Sequence, residues 1–299
     1  MDVGKYELLL KVVELRNLTR AASALGYTQS GASHVISSIE NELGVSLLRR
    51  DHRGTFLTTE GELMLPAIRE MVACGEKIRT ISQSIQGLQA GVLRVAAFSS
   101  ISLLWLPRMI AQFHRKYPNV QVEIVSGTGS YEEMEEYLLT ARVDCSFVRL
   151  PGTGAMQCVP LLRDPLLAVL PPNHPLAGAP EPIRFSQLAM EPFLMPTEGK
   201  NYDIRQLCKE FSFEPQAAFT MHDDLSLLAM AENGLGCTIL PGLLLHHYAH
   251  NAVVRHLETD PYRLIGVAVR ANQTPSPLTT AFVELAVEMA KEFMAEPLP

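Results

Sequence analysis

The chain has 299 residues, of which 47% are hydrophobic, and a mean hydropathy of +0.10. This length allows two or three domains with separate cores. No apolar run is long enough to cross a bilayer, and no basic stretch precedes an apolar core at the N-terminus, so we expect a cytoplasmic protein. The five cysteines form no CxxC pair, which argues against a zinc cluster or a disulfide framework.

The net charge of −7 is unevenly distributed along the chain. Residues 1–90 contain ten lysines and arginines against ten aspartates and glutamates, so the whole deficit lies in residues 91–299. Within the neutral part, Arg49, Arg50 and Arg53 lie close together. A local basic cluster of this kind is what contact with phosphate requires. The charge distribution therefore permits DNA binding by the N-terminal part.

Residues 28–42 form the segment around which the chain is organised. Its apolar residues recur at three- and four-residue steps, which predicts a helix, and its other face carries small hydroxyl and amide side chains. An amphipathic helix is predicted over residues 5–15, and a short alanine-rich helix over residues 19–25 is followed by the turn Gly26-Tyr27. Two helices joined by a glycine-containing turn are typical of a helix-turn-helix. We therefore expect residues 28–42 to enter the major groove of DNA.

The next segment predicts a wing and a long helix. Two short strand-like runs, residues 45–48 and 55–58, flank the basic sequence RRDHRG. The spacing of Thr59 and Glu62 is that of a capping box, and it predicts a helix that continues to about residue 88. Apolar or small residues in this helix recur at steps of four and three. This seam favours a dimerisation helix, although a helix packed against its own domain is the alternative.

The remainder of the chain alternates between predicted strands and helices. Strand-like runs at 92–97, 120–125 and 143–148, separated by helices over 103–117 and 131–140, predict a parallel α/β sheet. Later strands are predicted at 166–170, 193–195, 217–220, 237–240 and 264–269, and later helices at 204–211, 225–233 and 278–294.

At this point the sequence resembles the LysR-type transcriptional regulators over nearly its full length. The run NLTRAASALGYTQSGASHVISSIENELGVSLLRR resembles the family's helix-turn-helix, and LTTEG resembles its junction between wing and linker. The run AENGLG, followed by Leu240-Pro241, resembles a later signature of the effector domain. Further matches lie at Leu106-Pro107, Phe113, Tyr117-Pro118 and Val120. The sequence departs from the family at His34 and Ser37, where basic or amide residues are frequent.

The resemblance implies an α/β fold class with three parts. These are an N-terminal winged helix-turn-helix at residues 1–59, a dimerisation linker helix at 60–90, and an effector-binding domain at 91–299. The effector domain would resemble the type 2 periplasmic binding proteins, with subdomain I at about 92–163 and 267–299 and subdomain II at about 164–266. The implied partners are a double-stranded DNA operator, a small-molecule effector and further copies of the chain, as a homodimer or a homotetramer built from two dimers. No cofactor, catalytic residue, metal or membrane is expected.

Six side chains are predicted to contact DNA. Gln29 can pair with adenine, the hydroxyl groups of Ser30 and Ser33 and the His34 ring can bond to base edges or phosphate, and arginines neutralise phosphate. The alternative for Gln29 and Ser30 is capping of the helix, and Arg49 is as well explained by a structural role. The predicted DNA-binding residues are Gln29, Ser30, Ser33, His34, Arg50 and Arg53.

The predicted effector site lies in loops that follow strands, where open α/β sheets bind ligands. Backbone N–H groups at helix starts, aided by nearby hydroxyl groups, would bind a small anionic metabolite. The resemblance places the family's effector cleft at these same loops. The alternative for the two serines is helix capping, and that for Arg149, Lys200 and Tyr202 is a surface or structural role. The predicted effector-binding residues are Ser99, Ser100, Thr128, Arg149, Thr197, Lys200 and Tyr202.

Three other classes of function fit the sequence less well. A redox sensor would use cysteines of the effector half, but Cys145 and Cys237 lie in apolar runs and no basic cluster adjoins Cys158 or Cys208. An enzyme would require one of the common catalytic motifs, and none is found. The spacing of His246, His247 and His250 fits a solvated helix end better than a metal site. A solute-binding protein would not need the winged helix.

Overall fold

The computed structural model describes residues 2–52, 54–85, 90–125, 130–197 and 202–293. The chain divides into an N-terminal unit, Met1–Val92 with Thr140–Arg142, and a C-terminal unit, Leu93–Leu139 with Val143–Pro299. Among the described helices, none is both long and apolar enough to cross a membrane.

The described residues of the N-terminal unit form four helices and one hairpin. Its core is formed by apolar side chains on the facing sides of the first three helices, with Tyr6, Val12 and Ile39 fully buried. Alanines at 21, 22 and 32 let these helices approach closely. The elements are α1 (Val3–Leu15), α2 (Leu18–Ala24), α3 (Gln29–Leu43), β1 (Leu48–Asp51), β2 (Gly54–Leu57) and α4 (Thr59–Ile85).

The ends of α3 and α4 follow from local hydrogen bonds. The Thr28 side chain accepts the Gly31 N–H at 3.1 Å and so begins α3, which ends at Gly44 with φ of 73°. The prediction that Thr59 caps α4 is wrong by one residue. Thr58 provides the cap, because its Oγ1 accepts the Gly61 N–H at 3.0 Å while Thr59 is already helical.

The hairpin β1–β2 is the predicted wing, but its strands start later than expected. Arg49 and Arg50 lie within β1 rather than in the loop, because the ladder runs from Leu48 opposite Leu57 to Asp51 opposite Gly54. Gly54 has φ of 139°, and a Cβ there would lie 2.6 Å from the Arg16 carbonyl oxygen. This close approach fixes the wing against the turn that follows α1.

The C-terminal unit is a mixed α/β structure. Its elements are β3 (Ala90–Ala96), α5 (Ser99–Lys116), β4 (Asn119–Val125), α6 (Tyr131–Leu139), β5 (Cys145–Leu150), β6 (Met156–Leu170), α7 (Phe185–Leu188), β7 (Phe193–Pro196), α8 (Tyr202–Phe211), β8 (Ala217–Met221), α9 (Asp224–Glu232), β9 (Thr238–Pro241), α10 (Gly242–Tyr248), β10 (Val253–Arg255), β11 (Tyr262–Arg270) and α11 (Pro277–Phe293).

The main sheet is mixed, and it contains the predicted parallel pairing as well as antiparallel strands. Its strand order is β10-β6-β11-β5-β3-β4, with β9 also pairing with β6. Strands β3 and β5 are parallel, whereas β11 is antiparallel to both β5 and β6. The first ten residues of β6 were missed because Pro160 and Pro165 interrupt the strand pattern. The ladder accommodates Pro160 by a register shift opposite Gly266.

Strand β6 passes through two separate lobes of the C-terminal unit. Its first half, with Leu161 and Leu162, packs into a core around Trp105 and Phe282, here called the first lobe. Its second half alternates between two cores of the second lobe, one around Phe185 and one around Leu244. The alternation follows from the two-residue period of a strand. The position between the halves, at Asp164, is where the two lobes meet.

Candidate functional sites

The polar face of α3 presents the predicted DNA-contacting side chains. Gln29, Ser30 and His34 are exposed, and Ser33 is half-buried. Because Thr28 supplies the cap, capping of α3 does not require Gln29 or Ser30, although the Ser30 hydroxyl lies 3.2 Å from Thr28 Oγ1. The face is therefore accessible at the end of the helix that enters the major groove in helix-turn-helix proteins.

The two described arginines of β1 play different roles. The exposed Arg50 reaches α3, where its Nη2 lies 3.4 Å from Ser33 Oγ. Arg49 instead bonds within the hairpin: its Nε donates to the Leu57 carbonyl at 3.2 Å, and its guanidinium lies 5.4 Å from the centroid of the Phe56 ring. These contacts favour the structural role for Arg49. The predicted Arg53 lies outside the described residues.

A buried arginine occupies the centre of the second candidate site, where the lobes meet. Arg263 of β11 is 3% exposed and lies directly opposite Asp164 of β6. Its Nε and Nη2 donate to Asp164 Oδ2 at 2.9 and 2.7 Å. Its Nη2 also donates to Ser100 Oγ at 2.7 Å, and its Nη1 to the Tyr131 hydroxyl at 2.8 Å. One side chain thus connects three elements.

The network continues from Tyr131 to the surface. The Tyr131 hydroxyl donates to Asp203 Oδ2 at 2.6 Å, and Asp203 Oδ1 accepts the Arg149 Nε–H at 2.8 Å. Arg149 Nη2 lies 3.2 Å from Gln206 Oε1. The polar chain therefore links the first lobe, through α6 and β5, with α8 of the second lobe.

Burial and charge set the protonation of this network. Burial raises the pKa of the Tyr131 hydroxyl, so this group remains protonated and donates to Asp203. Burial opposes the charge of Arg263, but the neighbouring Tyr131, Asp164 and Asp203 together raise the pKa of the guanidinium above its usual value. Arg263 is a permanent buried cation.

A cavity of about 50 Å³ lies beside the network. Its polar lining comes from the starts of α5 and α6, from α8 and α9, and from β11, and its apolar lining includes Phe98 and Pro241. Phe98 precedes α5 and offers its first turn no side-chain hydrogen bond. The polar residues of the lining are Ser99, Ser130, Tyr131, Asp203, Asp224 and Arg263.

The structure places the predicted effector residues in different positions. Ser99 lines the cavity, whereas Ser100 is buried and bonded to Arg263. Arg149 lies on a neighbouring groove, and Thr197 Oγ1 lies 3.1 Å from His222 Nδ1. Thr128 and Lys200 lie outside the described residues, and of Tyr202 only the backbone, at the start of α8, is described.

The buried charged pair at the centre of this site was not predicted from the sequence. Asp164 and Arg263 carry opposite charges within strands that are otherwise largely apolar. Aspartate and arginine are rarely fully buried unless they are paired, so each was a signal that a partner must exist. What the sequence did not show was that the two lie opposite each other.

The cysteines and histidines form no further centre among the described residues. Burial raises the pKa of all four cysteines of the C-terminal unit, that of Cys237 to about 12, which favours the unreactive thiol form. Within the same residues, no group of three or more histidine, cysteine, aspartate or glutamate side chains is arranged to hold a metal ion.

Comparison with known families relates both candidate sites to one protein family. Residues 4–62 match the bacterial regulatory helix-turn-helix protein family of the lysR type, and residues 86–291 match the LysR substrate binding domain. The chain belongs to the LysR family. Its members are transcription regulators, not enzymes, and they bind DNA and small-molecule effectors.

Two curated LysR-type relatives are similar over nearly their whole length. The chain is 30% identical to the uncharacterized regulator YvbU of Bacillus subtilis, covering 97% of this chain and 99% of the relative. It is 29% identical to the probable regulator LrrA of Synechococcus elongatus, covering 99% of both.

Solved structures share the fold of this LysR-family chain. A full-length cysteine variant of OxyR from Pseudomonas aeruginosa has a TM-score of 0.75 at 24% identity, covering 97% of this chain and 95% of that one. Full-length CbnR in complex with its target DNA has a TM-score of 0.68 at 22% identity, covering 97% and 100%. The fold is therefore an N-terminal helix-turn-helix, a long helix and a two-lobed α/β effector domain, as in full-length LysR regulators.

Proposed function

We propose that this LysR-family regulator reads a double-stranded DNA operator with α3 and the wing, and that a small anionic metabolite between the two lobes controls its action. The observation that carries the proposal is the polar chain from Ser100 through Arg263 and Tyr131 to Asp203. It joins the two lobes beside a cavity. A ligand that alters this chain would change the angle between the lobes.

The DNA half of the proposal rests on the exposed face of α3 and on Arg50. Gln29, Ser30, Ser33 and His34 would contact base edges or phosphate, and Arg50 and Arg53 would contact the backbone. We assign the DNA-binding domain to residues 1–59, the dimerisation linker to 60–90 and the effector domain to 91–299.

The long helix α4 supports assembly of this regulator with a second copy. Leu63 and Ile78 on α4 are 78% and 64% exposed, and Ile81 follows one turn after Ile78. Exposed apolar side chains along one helix are stabilised when a partner covers them. We propose a homodimer through this helix, and a homotetramer built from two such dimers.

The effector half rests on the cavity at the start of α5. Ser99 and the N–H groups of the first turn lie beside Arg263, so an anionic group there would meet the positive end of the helix dipole. The cavity is smaller than the roughly 300–1,000 Å³ typical of ligand pockets. The lobes must therefore separate for a metabolite to enter, and a ligand that prefers one lobe angle shifts the population.

A gel-shift titration with the DNA that flanks the gene tests the DNA half. At fixed salt we expect one flanking segment to be retained far more tightly than unrelated DNA of the same length. Equal retention of both would contradict operator recognition. A thermal-shift screen of metabolites then identifies the effector, because specific binding stabilises the folded state.

Substitutions in the effector domain test whether the metabolite controls operator binding. Ser100→Ala and Thr128→Val should abolish the response of operator binding to the metabolite with the largest thermal shift, while DNA binding itself persists. Ser102→Ala is the matched control on the same helix, because its hydroxyl bonds to the Phe98 and Ser99 carbonyl oxygens of its own helix turn. A normal dose response in both test variants would count against this site.

A further inference from the structure

A groove of about 970 Å³ lies next to the network, and both partners of the Arg149–Asp203 ion pair line it. One of its walls is α8, which contributes residues at helical spacings of three and four, so a single face of this helix lines it. These residues are Asp203, Gln206, Leu207, Glu210 and Phe211. The volume is within the range typical of small-molecule pockets.

The opposite walls of the groove are the corner between β5 and β6 and the start of β11. Leu150, Pro151, Met156 and Leu264 supply apolar surface there. Together with Leu207 and Phe211 they provide a wall suited to an apolar or aromatic ligand body. The groove is thus amphipathic, with an apolar lining and a polar rim.

The charges that line the groove are predominantly negative. Among its described lining residues, Asp203, Glu210 and Asp260 are acidic, and Arg149 is basic. The Arg149 guanidinium is bonded to Asp203 and Gln206, so its charge is already balanced. The carboxylates of Glu210 and Asp260 lie at the exposed rim, where Asp260 Oδ1 is 3.6 Å from His256 Nδ1, and they would attract a cation.

Aromatic surface supports the same ligand chemistry. Tyr262 lines the groove, is 46% exposed, and has the Arg163 guanidinium 3.7 Å from its ring centroid. One face of the ring is therefore covered by the Arg163 cation, and Tyr262 contributes its remaining exposed ring surface to the groove as apolar lining. Phe211 supplies a second aromatic ring in the lining, from the end of α8.

We propose that this groove is a second ligand site of the effector domain, which takes a small organic cation with an apolar or aromatic body. The ligand's body lies against Leu207, Phe211 and Tyr262, and its ammonium group lies toward Glu210 and Asp260. The site is distinct from the cavity at the start of α5, although Leu166 and Asp203 line both.

The test measures the binding of 1-naphthylmethylamine, and of its anionic counterpart 1-naphthaleneacetate, to the full-length protein by isothermal titration calorimetry. We expect the amine to bind with a Kd of about 0.1–1 mM, which suits a ligand of this size, and the acid not to bind. Thr153→Trp, which adds bulk to the groove lining, should abolish amine binding.

Matched variants distinguish binding in this groove from binding elsewhere on the chain. The double variant Glu210→Gln, Asp260→Asn should weaken amine binding about tenfold through loss of two rim charges. Glu214→Gln, which removes an exposed carboxylate that does not line the groove, should leave it unchanged. Equal affinity in wild type and the double variant, or an equal loss in Glu214→Gln, would overturn the proposal. No DNA is present, so the outcome is independent of operator recognition.

Discussion

The polar face of α3 and the network around Arg263 are built in opposite ways. On α3, Gln29, Ser30 and His34 are exposed. Around Arg263, the side chains of the network (Ser100, Tyr131, Asp164 and Asp203) are each hydrogen-bonded to a neighbour, and Asp164 is fully buried. A surface that must meet DNA keeps its hydrogen-bonding groups available, whereas a buried charge is tolerated only when its neighbours satisfy it. Substitutions on the polar face of α3 should therefore weaken DNA binding, whereas substitutions in the network around Arg263 should lower the free energy of unfolding.

The sharpest test of this contrast is Asp164→Asn. It leaves the Arg263 cation buried without its counter-charge, and we expect a loss of about 3–5 kcal/mol in the free energy of unfolding. Urea unfolding monitored by tryptophan fluorescence reports on the first lobe, since the chain's one tryptophan, Trp105, lies in the first-lobe core. Asp260→Asn, at an exposed carboxylate, is the control and should change stability little. A loss below about 1 kcal/mol in Asp164→Asn would show that the network is not the stabilising element.

The converse effect is expected on α3. Ser33→Ala and His34→Ala should each weaken operator binding by about 1–3 kcal/mol if they contact bases, with thermal unfolding unchanged. A gel-shift titration at fixed salt measures the affinity. Ser38→Ala is a useful comparison, because this α3 serine bonds to Lys5 of α1. If Ser38→Ala weakens binding as much as the other two, the proposed reading face is wrong.

The smallest expected effect concerns Arg50. Arg50→Ala should reduce the slope of log affinity against log salt concentration by about one, which corresponds to one phosphate contact. Arg49→Ala should leave that slope nearly unchanged, because Arg49 bonds to Leu57 and stacks near Phe56. An equal change of slope in both variants would assign both arginines to DNA.

The N-terminal unit could be predicted from sequence because local signals define it. The three-and-four spacing of apolar residues lies within α3 and produced the expected helix, and the residues that begin and end it, Thr28 and Gly44, adjoin it directly in the sequence. Errors were limited to single caps and strand starts, such as Thr58 in place of Thr59.

The C-terminal site was less accessible to prediction because its contacts are distant in sequence. Arg263 bonds to Ser100, 163 residues away, and to Tyr131, 132 residues away. The helix-start signal drew attention to residues 99 and 100, but it could not show that the Ser100 hydroxyl accepts a hydrogen bond from Arg263. Periodicity in a sequence describes one element and cannot show which elements become neighbours.

The placement of Asp164 and Arg263 also has a mechanical consequence. They are cross-strand partners at the point where β6 leaves one lobe for the other, and β11 begins beside them. Two adjacent hydrogen-bonded strands resist stretching but yield to twisting, so we expect a relative motion of the lobes to be a torsion with this ion pair near its axis. In such a torsion, side chains far from the axis move furthest. Residues at the outer edges of the lobes can therefore change position while the Asp164–Arg263 pair stays in place.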